Sequence, residues 1–367
     1  MKKTLILTIA ILLFTLCLSA KETIQVGVVL PLSGNQAYLG EMARDGLLLK
    51  LKEVEGQTKY NYQIIFEDDA FEVRQTNTAI LKFKNIDKVD VVCTMWGRGS
   101  EIALPLLKGS HILHLSTDRW FYSTATNDYV VGNPLDSYMD SMIALLEKYQ
   151  YRRVAFLGNT DQGETLYEQL LRKRLKEANI ELVDDTSLSQ DARDVRTWVL
   201  KIRDLKPDAI IDCTVMPLGQ IFRKQMKDIQ YHTPIICADS TCLEVDPAYV
   251  NGECMIYPIG STESWSSRFA AVYHKDPSYP APQYYNTITS LIAACEHCDG
   301  KNKPTTSQIA DGFKFINNLA GATGPLNFSP PNNVVTPVSY YFVKGSKAKT
   351  VSLGELYQLQ HPTSNVH

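Results

Sequence analysis

The amino-acid sequence predicts an α/β protein built from two doubly wound lobes. Short apolar segments of strand length alternate with amphipathic helical segments, the pattern of parallel sheets covered by helices on both faces. The alternation comes in two series that separate near residue 135. About 347 residues remain (367 minus 20) without the predicted leader described below, and that length is typical of two lobes rather than one core.

The first series covers residues 24–116. Its expected elements are strand 24–30, helix 38–55, strand 62–67, helix 73–84, strand 89–95, helix 100–108 and strand 112–116. The first strand is a buried-type apolar run that ends in the turn residues Pro31-Leu32-Ser33-Gly34. A strand, a turn and a helix therefore open the chain after its leader.

The second series begins near residue 136 and becomes less regular after residue 244. Its expected elements are helix 136–149, strand 154–158, helix 164–178, strand 180–186, helix 195–204, strand 209–214, helix 218–230 and strand 235–238. Later elements are strand 254–258, helices 265–274, 284–296 and 306–317, and strands 335–343 and 350–353 joined at Lys344-Gly345-Ser346.

The ends of the strands indicate where a ligand would bind. In open α/β sheets, ligands bind beyond the carboxyl ends of the strands. The loops expected to line a site are therefore 31–40, 68–72, 96–100, 116–121, 159–163, 215–218 and 238–244.

Residues 1–20 have the features of a secretion signal. Lys2 and Lys3 precede an apolar stretch over 5–16, and Leu18-Ser19-Ala20 offers a small-residue cleavage site. An uncleaved signal anchor is an alternative, although so short a stretch barely spans a bilayer. A lipoprotein would use Cys17, but Leu16 stands where a small residue usually precedes a lipid-modified cysteine. We expect an exported, soluble mature protein.

Composition excludes several classes of function. Without the leader the chain has 35 basic and 40 acidic residues, so its net charge is near −5, and no basic stripe favours nucleic acid. The chain contains no Gly-x-Ser-x-Gly, no His-Glu-x-x-His and no phosphate-binding loop. A Ser-x-x-Lys match at 346–349 follows a glycine turn and is attributed to chance. We therefore expect no enzyme activity.

Seven cysteines remain after residue 20, an odd number that leaves at least one thiol unpaired within the chain. Cys93 and Cys213 lie in apolar runs and are expected to be buried. Cys295 and Cys298 are three apart at a helix end, where a disulfide is one alternative. Only His297 is near them as a further zinc ligand, and Asp299 stands where a c-type haem site needs histidine. No cofactor or metal is expected.

Motifs along the chain resemble the leucine/isoleucine/valine-binding family, the type I solute-binding proteins of ABC importers. The matching segments are Pro31-Leu32-Ser33-Gly34 with Gly40 and Gly46, Glu67-Asp68-Asp69-Ala70, Leu157-Gly158-Asn159-Thr160-Asp161-Gln162-Gly163, Tyr285-Asn286-Thr287-Ile288, and Gly321-Ala322-Thr323-Gly324-Pro325-Leu326-Asn327-Phe328. In the third segment Gln162 replaces the family tyrosine. The resemblance covers roughly residues 24–345.

The resemblance implies two lobes joined by three crossovers. One lobe would comprise 22–135 plus 267–338, the other 136–266 plus 339–358, and 359–367 would be a flexible tail. It also implies a ligand enclosed between the lobes. Enclosure removes water, so each polar group of the ligand needs a fixed partner.

In the first lobe the resemblance places hydroxyl and amide contacts in two loops. Ser100 is expected to cap a helix beside backbone donors that favour an anion, and the alternative is that it only caps the helix. Arg98 could bind a carboxylate with two hydrogen bonds, or could be a solvated loop charge. Ser116 or Thr117 is expected to contact the ligand from the next loop.

Further ligand contacts are implied at the first turn, in the second lobe and in the late helix. Asp239 would hold an ammonium group, and the alternative is a turn aspartate. The remaining candidates are Tyr38 or Leu39 as a cleft wall, Asp161 and Gln162 at a helix start, Met216 where the family often has tyrosine, and Tyr284 or Tyr285 at the head of the late helix. The absent family tyrosines leave the specificity open among amino acids, carboxylates and small amides.

The leading functional hypothesis is a periplasmic solute-binding protein of an ABC transporter. It would be a monomer that captures an amino acid, amide or carboxylate between closing lobes and delivers it to a membrane permease. The alternative is a sensory binding protein that reports to a separate membrane receptor.

Overall fold

The computed structural model describes most of the chain outside the leader. The described residues are 21–117, 125–132, 135–160, 162–189, 192–214, 216–238, 240–258, 260–336, 338–344 and 347–361. At residues 35, 162–166, 240, 241, 251 and 258 only the backbone is described. The predicted signal peptide and residues 362–367 lie outside this part of the chain. No helix in these ranges is long and apolar enough to cross a membrane.

The described residues form fifteen strands. They are β1 (Thr23–Leu30), β2 (Asn61–Asp68), β3 (Val91–Thr94), β4 (Leu113–Ser116), β5 (Asp128–Gly132), β6 (Arg153–Asn159), β7 (Glu181–Leu188), β8 (Ala209–Cys213), β9 (Ile235–Cys237), β10 (Asn251–Pro258), β11 (Leu319–Gly321), β12 (Gly324–Ser329), β13 (Asn333–Val335), β14 (Val338–Lys344) and β15 (Lys347–Val351).

Eleven α-helices are described in the same ranges. They are α1 (Ala37–Glu53), α2 (Val73–Lys82), α3 (Trp96–Leu107), α4 (Leu135–Lys148), α5 (Gln162–Glu177), α6 (Arg196–Leu205), α7 (Leu218–Asp228), α8 (Glu263–Tyr273), α9 (Pro280–Glu296), α10 (Thr306–Phe313) and α11 (Leu353–Gln360). A π-helical turn (Phe83–Asp87) follows α2, and short 3₁₀ turns lie at Gly34–Gln36, Ser240–Leu243 and Pro247–Tyr249.

The strands form two separate sheets, one in each lobe. The first has the order β11-β12-β13-β5-β4-β3-β1-β2, and the second has the order β15-β14-β10-β9-β8-β6-β7. Each sheet has a parallel centre and two antiparallel strand pairings at one edge. The predicted pair of α/β lobes is therefore confirmed.

The chain passes between the lobes three times. It crosses between β5 and α4, again between β10 and α8, and finally between β13 and β14. The lobe 1 segment resumes by Glu263 rather than at the expected 267, because Trp265 of α8 already packs against Leu49 of α1.

Separate apolar cores hold the two lobes together. In lobe 1, β1, β3 and β4 pack against α1 and α9, and α9 is buried along almost its whole length. In lobe 2, β6, β8 and β10 pack against α4, α5 and α11 on one face, and β8 packs against α6 and α7 on the other. Helices thus cover both faces of each sheet, as expected for strands that are mostly apolar on both sides.

The C-terminal boundary also differs from the prediction. Helix α11 extends to Gln360, past the expected end of lobe 2 at 358. Its end is anchored, since Gln360 donates to Gly252 O at 2.6 Å and accepts from the Tyr149 hydroxyl at 2.7 Å.

Candidate functional site

The carboxyl ends of the lobe 1 strands meet at one sheet edge. Leu30 pairs with Asp68, and Thr94 pairs with Ser116, so the loops that follow these strands begin side by side. This is the edge at which ligands bind in open α/β sheets.

Asp68 organises the first of these loops. Its Oδ1 accepts hydrogen bonds from the backbone N–H groups of Leu32 at 2.8 Å, Ser33 at 3.2 Å and Ala70 at 2.9 Å. Burial opposes the charged carboxylate, but the hydrogen bonds from Ser33, Ala70 and Leu32 outweigh it and lower the pKa of Asp68. The acidic motif at the end of β2 therefore shapes the turn after β1.

Arg98 lies at this edge, half-buried, in the first turn of α3. Its guanidinium carbon is 4.5 Å from the centre of the Phe71 ring, and that ring meets Trp96 edge-on with centroids 5.9 Å apart. Phe71 and Trp96 both adopt positive φ, at 61° and 56°, an unusual conformation for aromatic residues that often marks functional sites. Among the described residues, no carboxylate forms an ion pair with Arg98.

Arg98 also lines a small recess between the strand ends. The recess is lined by Val29, Pro31, Asp69, Phe71, Thr76, Thr94, Met95, Arg98 and Gly99. Asp69 is not free to bind a ligand cation here, since it accepts from Thr76 Oγ1 at 2.7 Å and from the Phe71 N–H at 3.0 Å. Arg98 is thus the charged group in the recess that has neither a hydrogen bond nor an ion pair among the described residues.

Two consecutive residues at the end of β4, Ser116 and Thr117, are buried at the same edge. Ser116 is fully buried, and its hydroxyl has no hydrogen-bond partner within the described part of the chain. Thr117 is 2% exposed and accepts a hydrogen bond from the Trp96 N–H at 3.4 Å. The structure therefore brings Ser116, Thr117 and the start of α3 together, as the sequence predicted.

Ser100 does not cap α3, and that prediction is wrong. The helix begins at Trp96 and its N-cap is Met95, so Ser100 lies within the helix. Its hydroxyl donates to Trp96 O at 3.2 Å. The backbone turns at Trp96, four residues earlier than expected, and this places Arg98 rather than Ser100 in the first turn.

A buried polar chain that sequence reasoning missed supports the site. His114 Nδ1 is 2.7 Å from Asp128 Oδ1, and His114 Nε2 is 2.9 Å from Thr94 Oγ1. Thr94 Oγ1 in turn lies 3.5 Å from the Ser100 hydroxyl. This series of hydrogen bonds fixes the side chain of Thr94 in the recess. In the sequence it is signalled by a histidine between two leucines in a predicted strand.

The candidates at the start of α1 are accessible. Tyr38 is 59% exposed in the first turn, and Leu39 beside it is half-buried. No polar contact of either residue with the recess is present among the described residues. Their role as cleft-wall residues stays a prediction.

The two late tyrosines do not head α9, because that helix begins at Pro280. Tyr284 is buried in the lobe 1 core, its hydroxyl is unpartnered within the described residues, and burial raises its pKa. Tyr285 donates to Glu53 Oε2 at 2.5 Å and packs edge-on against Trp265. Tyr285 is thus engaged between helices of lobe 1.

Gln283, which sequence reasoning overlooked, has an unsatisfied side chain. It is 1% exposed, and both its amide nitrogen and its amide oxygen lack partners within the described residues. It lies one turn after Tyr279, whose ring contacts Tyr257 of lobe 2. An unpartnered amide near this inter-lobe contact is a further candidate for ligand binding.

The lobe 2 candidates are less completely described. Asp161 and Asp239 lie outside the described residues, and only the backbone of Gln162 is described. Met216 is half-buried against Cys237 and Cys242. The predicted ammonium contact at Asp239 therefore stays a prediction.

A buried ion cluster underlies the lobe 2 loops. Arg223 donates to Glu253 through Nε at 2.9 Å and Nη2 at 2.7 Å, and its Nη2 is 2.8 Å from Asp212 Oδ2. Burial opposes the charged guanidinium, but Asp212 and Glu253 outweigh it and hold the pKa of Arg223 above its ordinary value. Asp212 also accepts from the Thr214 hydroxyl at 2.7 Å, just beyond β8.

Comparison with known proteins decides the family. The model of the periplasmic binding protein family matches residues 23–350. This chain belongs to that family. It is a family of binding proteins rather than enzymes, as predicted. No match was found among curated protein sequences.

Solved structures of periplasmic binding proteins share the fold. The leucine-binding protein LivK of Thermotoga maritima has 15% identity and a TM-score of 0.75 over 90% of this chain and 98% of its own. A solute-binding protein of an R. palustris ABC transporter, solved with benzoate, has 17% identity and a TM-score of 0.73 over 90% and 96%. LivJ of Streptococcus pneumoniae, solved with isoleucine, has 17% identity and a TM-score of 0.71 over 90% and 99%. At these identities the likeness establishes the fold alone.

Within this family fold, the late sequence motifs have a structural role. Asn286 of α9 donates to Thr323 Oγ1 at 2.9 Å and accepts from the Ala322 N–H at 2.7 Å. The motif 285–288 therefore holds the turn of the motif 321–328. These hydrogen bonds connect α9 to the β11–β12 hairpin.

Proposed function

We propose that this protein is the exported, periplasmic solute-binding component of an ABC transporter and encloses a small carboxylate-bearing solute between its lobes. One observation carries the proposal. Arg98 lies at the ligand-binding edge of lobe 1 without a carboxylate partner among the described residues, beside the recess of Thr94.

A bound carboxylate would provide hydrogen-bond partners for the Arg98 guanidinium and the Ser116 hydroxyl at this edge. A guanidinium can bind a carboxylate with two charge-assisted hydrogen bonds, and the Phe71 ring orients it from below. Ser116 offers a buried hydroxyl that lacks a protein partner in the described structure. Leaving such a hydroxyl unpaired costs about 1–3 kcal/mol, and a bound ligand would recover that cost.

The ligands of relatives support the same chemical class. Benzoate and isoleucine, found in two of the related structures, differ in size and polarity but both carry a carboxylate. We propose that the carboxylate is the shared feature and that lobe 2 selects the remainder of the solute. Delivery to a permease would follow from lobe closure, since contacts made only in the closed form shift the population toward it.

Replacing Arg98 with alanine is expected to weaken binding of a carboxylate solute at least tenfold, about 1.4 kcal/mol. The loss follows from removing the charge-assisted hydrogen bonds. Isothermal titration with L-isoleucine and with benzoate measures it, and Arg203→Ala is the control, because Arg203 lies in lobe 2 beside Asp204 and is exposed. Equal affinity of Arg98→Ala and the parent protein would remove Arg98 from the site.

Replacing Ser116 with alanine separates a ligand role from a structural one. Because this hydroxyl makes no hydrogen bond within the described protein, its removal should leave the melting temperature of the empty protein unchanged or slightly raised. Affinity for the solute should fall several-fold. Ser100→Ala is the matched control, since that hydroxyl bonds to Trp96 O and its loss should lower stability. Unchanged affinity in Ser116→Ala would exclude the hydroxyl as a ligand contact.

A further inference from the structure

Two buried thiols lie close together where β9 ends. Cys237 is the last residue of β9, and Cys242 lies in the 3₁₀ turn Ser240–Leu243. Each is 1% exposed, and both pack in one apolar cluster with Val245 and Met255. Their side chains are within hydrogen-bonding reach of each other. Both are reduced thiols in the structure.

The polar surroundings of Cys237 would tolerate its oxidation. Its thiol donates to Glu253 Oε2 at 3.1 Å and accepts from Arg223 Nη2 at 3.3 Å. Oxidation would remove only the thiol proton. Glu253 would keep its hydrogen bonds from Arg223 Nε and Nη2, so no buried carboxylate would lose its partner.

The neighbouring Cys254 is excluded as the partner by strand geometry. Met255 of β10 pairs with Cys237, and side chains alternate between the faces of a sheet, so Cys254 faces the opposite side. It accordingly packs in the other core, with Val154 and Ile236. Within the described residues, no group of three or more His, Cys, Asp or Glu is arranged to hold a metal ion.

We propose that Cys237 and Cys242 form a disulfide bond when the exported chain folds. A thiolate of one cysteine attacks a disulfide oxidant and releases one thiol. The thiolate of the second cysteine then attacks the mixed disulfide and releases the other half of the oxidant as a second thiol. The oxidant thus takes up the two electrons and leaves as two thiols, which carry the two protons lost by the protein.

The bond would form before the thiols are buried. Burial raises the pKa of Cys237, so little of the reactive thiolate exists once the protein has folded. The bond would tie together the ends of segment 238–241, which contains Asp239, a predicted ligand contact. It would therefore restrain one of the loops proposed to face the solute.

Peptide mapping tests the proposal without any substitution. Residues 21–367 are refolded with oxidised and reduced glutathione, alkylated under denaturing conditions and cleaved before aspartate. Cleavage separates Cys237 (fragment 228–238), Cys242 (239–245) and Cys254 (246–275). We expect fragments 228–238 and 239–245 to be joined, with a mass two hydrogen atoms below their sum, and to separate on reduction.

Variants assign the bond. Cys254→Ser should keep the joined fragments, whereas Cys242→Ser should lose them and leave an alkylated Cys237. Alkylation of both Cys237 and Cys242 in the refolded parent protein would overturn the proposal. A link from either cysteine to Cys254 would overturn it equally.

Discussion

Replacing Arg223 with alanine is expected to lower the free energy of unfolding by about 3–5 kcal/mol, the usual cost of removing one member of a buried ion cluster. Arg223 is 3% exposed and contacts both Asp212 and Glu253. Without the guanidinium, two carboxylates would remain buried in lobe 2 without their cation. Urea unfolding followed by circular dichroism measures the change.

Arg203→Ala is the matched comparison for Arg223→Ala. It removes an arginine from an exposed pair and should cost no more than about 1 kcal/mol. A loss below 1 kcal/mol at neutral pH would contradict the cluster described here.

Replacing Gly46 with alanine is expected to destabilise lobe 1 by at least about 1–3 kcal/mol, the range found for overpacked cores. Helices α1 and α9 approach so closely at Gly46 that a Cβ atom would lie 1.9 Å from Ala281 O and 2.6 Å from Ala281 C. Because both are backbone atoms of the buried helix α9, the clash could be removed only if α1 and α9 moved apart. Thermal unfolding measures the loss.

Gly354 supplies the matched control for Gly46. It is also in a helix, α11, but a Cβ atom there would meet no atom within 4 Å. Alanine at 354 should therefore leave stability unchanged or raise it by up to about 1 kcal/mol, because alanine favours helix over glycine. Equal changes in stability on replacing Gly46 and Gly354 with alanine would show that helix propensity, not the contact between α1 and α9, determines the effect at position 46.

The parallel centre of each sheet was predictable because its signals are local. Strands β1, β3 and β8 are mostly apolar, and amphipathic helices follow them at short distances. The prediction failed where pairing depends on distant parts of the chain. Residues 335–343 were expected to form one strand, but β13 belongs to lobe 1 and β14 to lobe 2, because the chain crosses between the lobes there.

The edge strands were missed for a similar reason. Strands β11 and β12 are short, and β12 begins Gly324-Pro325, residues that disfavour a strand in isolation. They form because Asn286 of α9 holds their turn and β13 pairs with β12. Helix α11 was not predicted, and it begins with a capping box of Ser352 and Glu355.

The candidate site was predictable to the level of loops but not of side-chain partners. The carboxyl ends of the strands located Arg98, Ser116 and Thr117 at one edge. The contact between Phe71 and Arg98 depends on the positive φ of Phe71 and Trp96. A positive φ at an aromatic residue cannot be predicted from the sequence. The link from His114 to Thr94 depends on strand order, which only the folded sheet provides.

A thermal-shift screen of purified residues 21–367 tests whether the protein binds a carboxylate-bearing solute through Arg98. The panel comprises the twenty amino acids, benzoate and other aromatic acids, dicarboxylates, and neutral amides including urea. A ligand that binds only the folded state raises the melting temperature by mass action. We expect the shift to come from a carboxylate-bearing compound and to be lost in Arg98→Ala. A shift from a neutral amide alone, or a carboxylate shift undiminished in Arg98→Ala, would contradict this expectation.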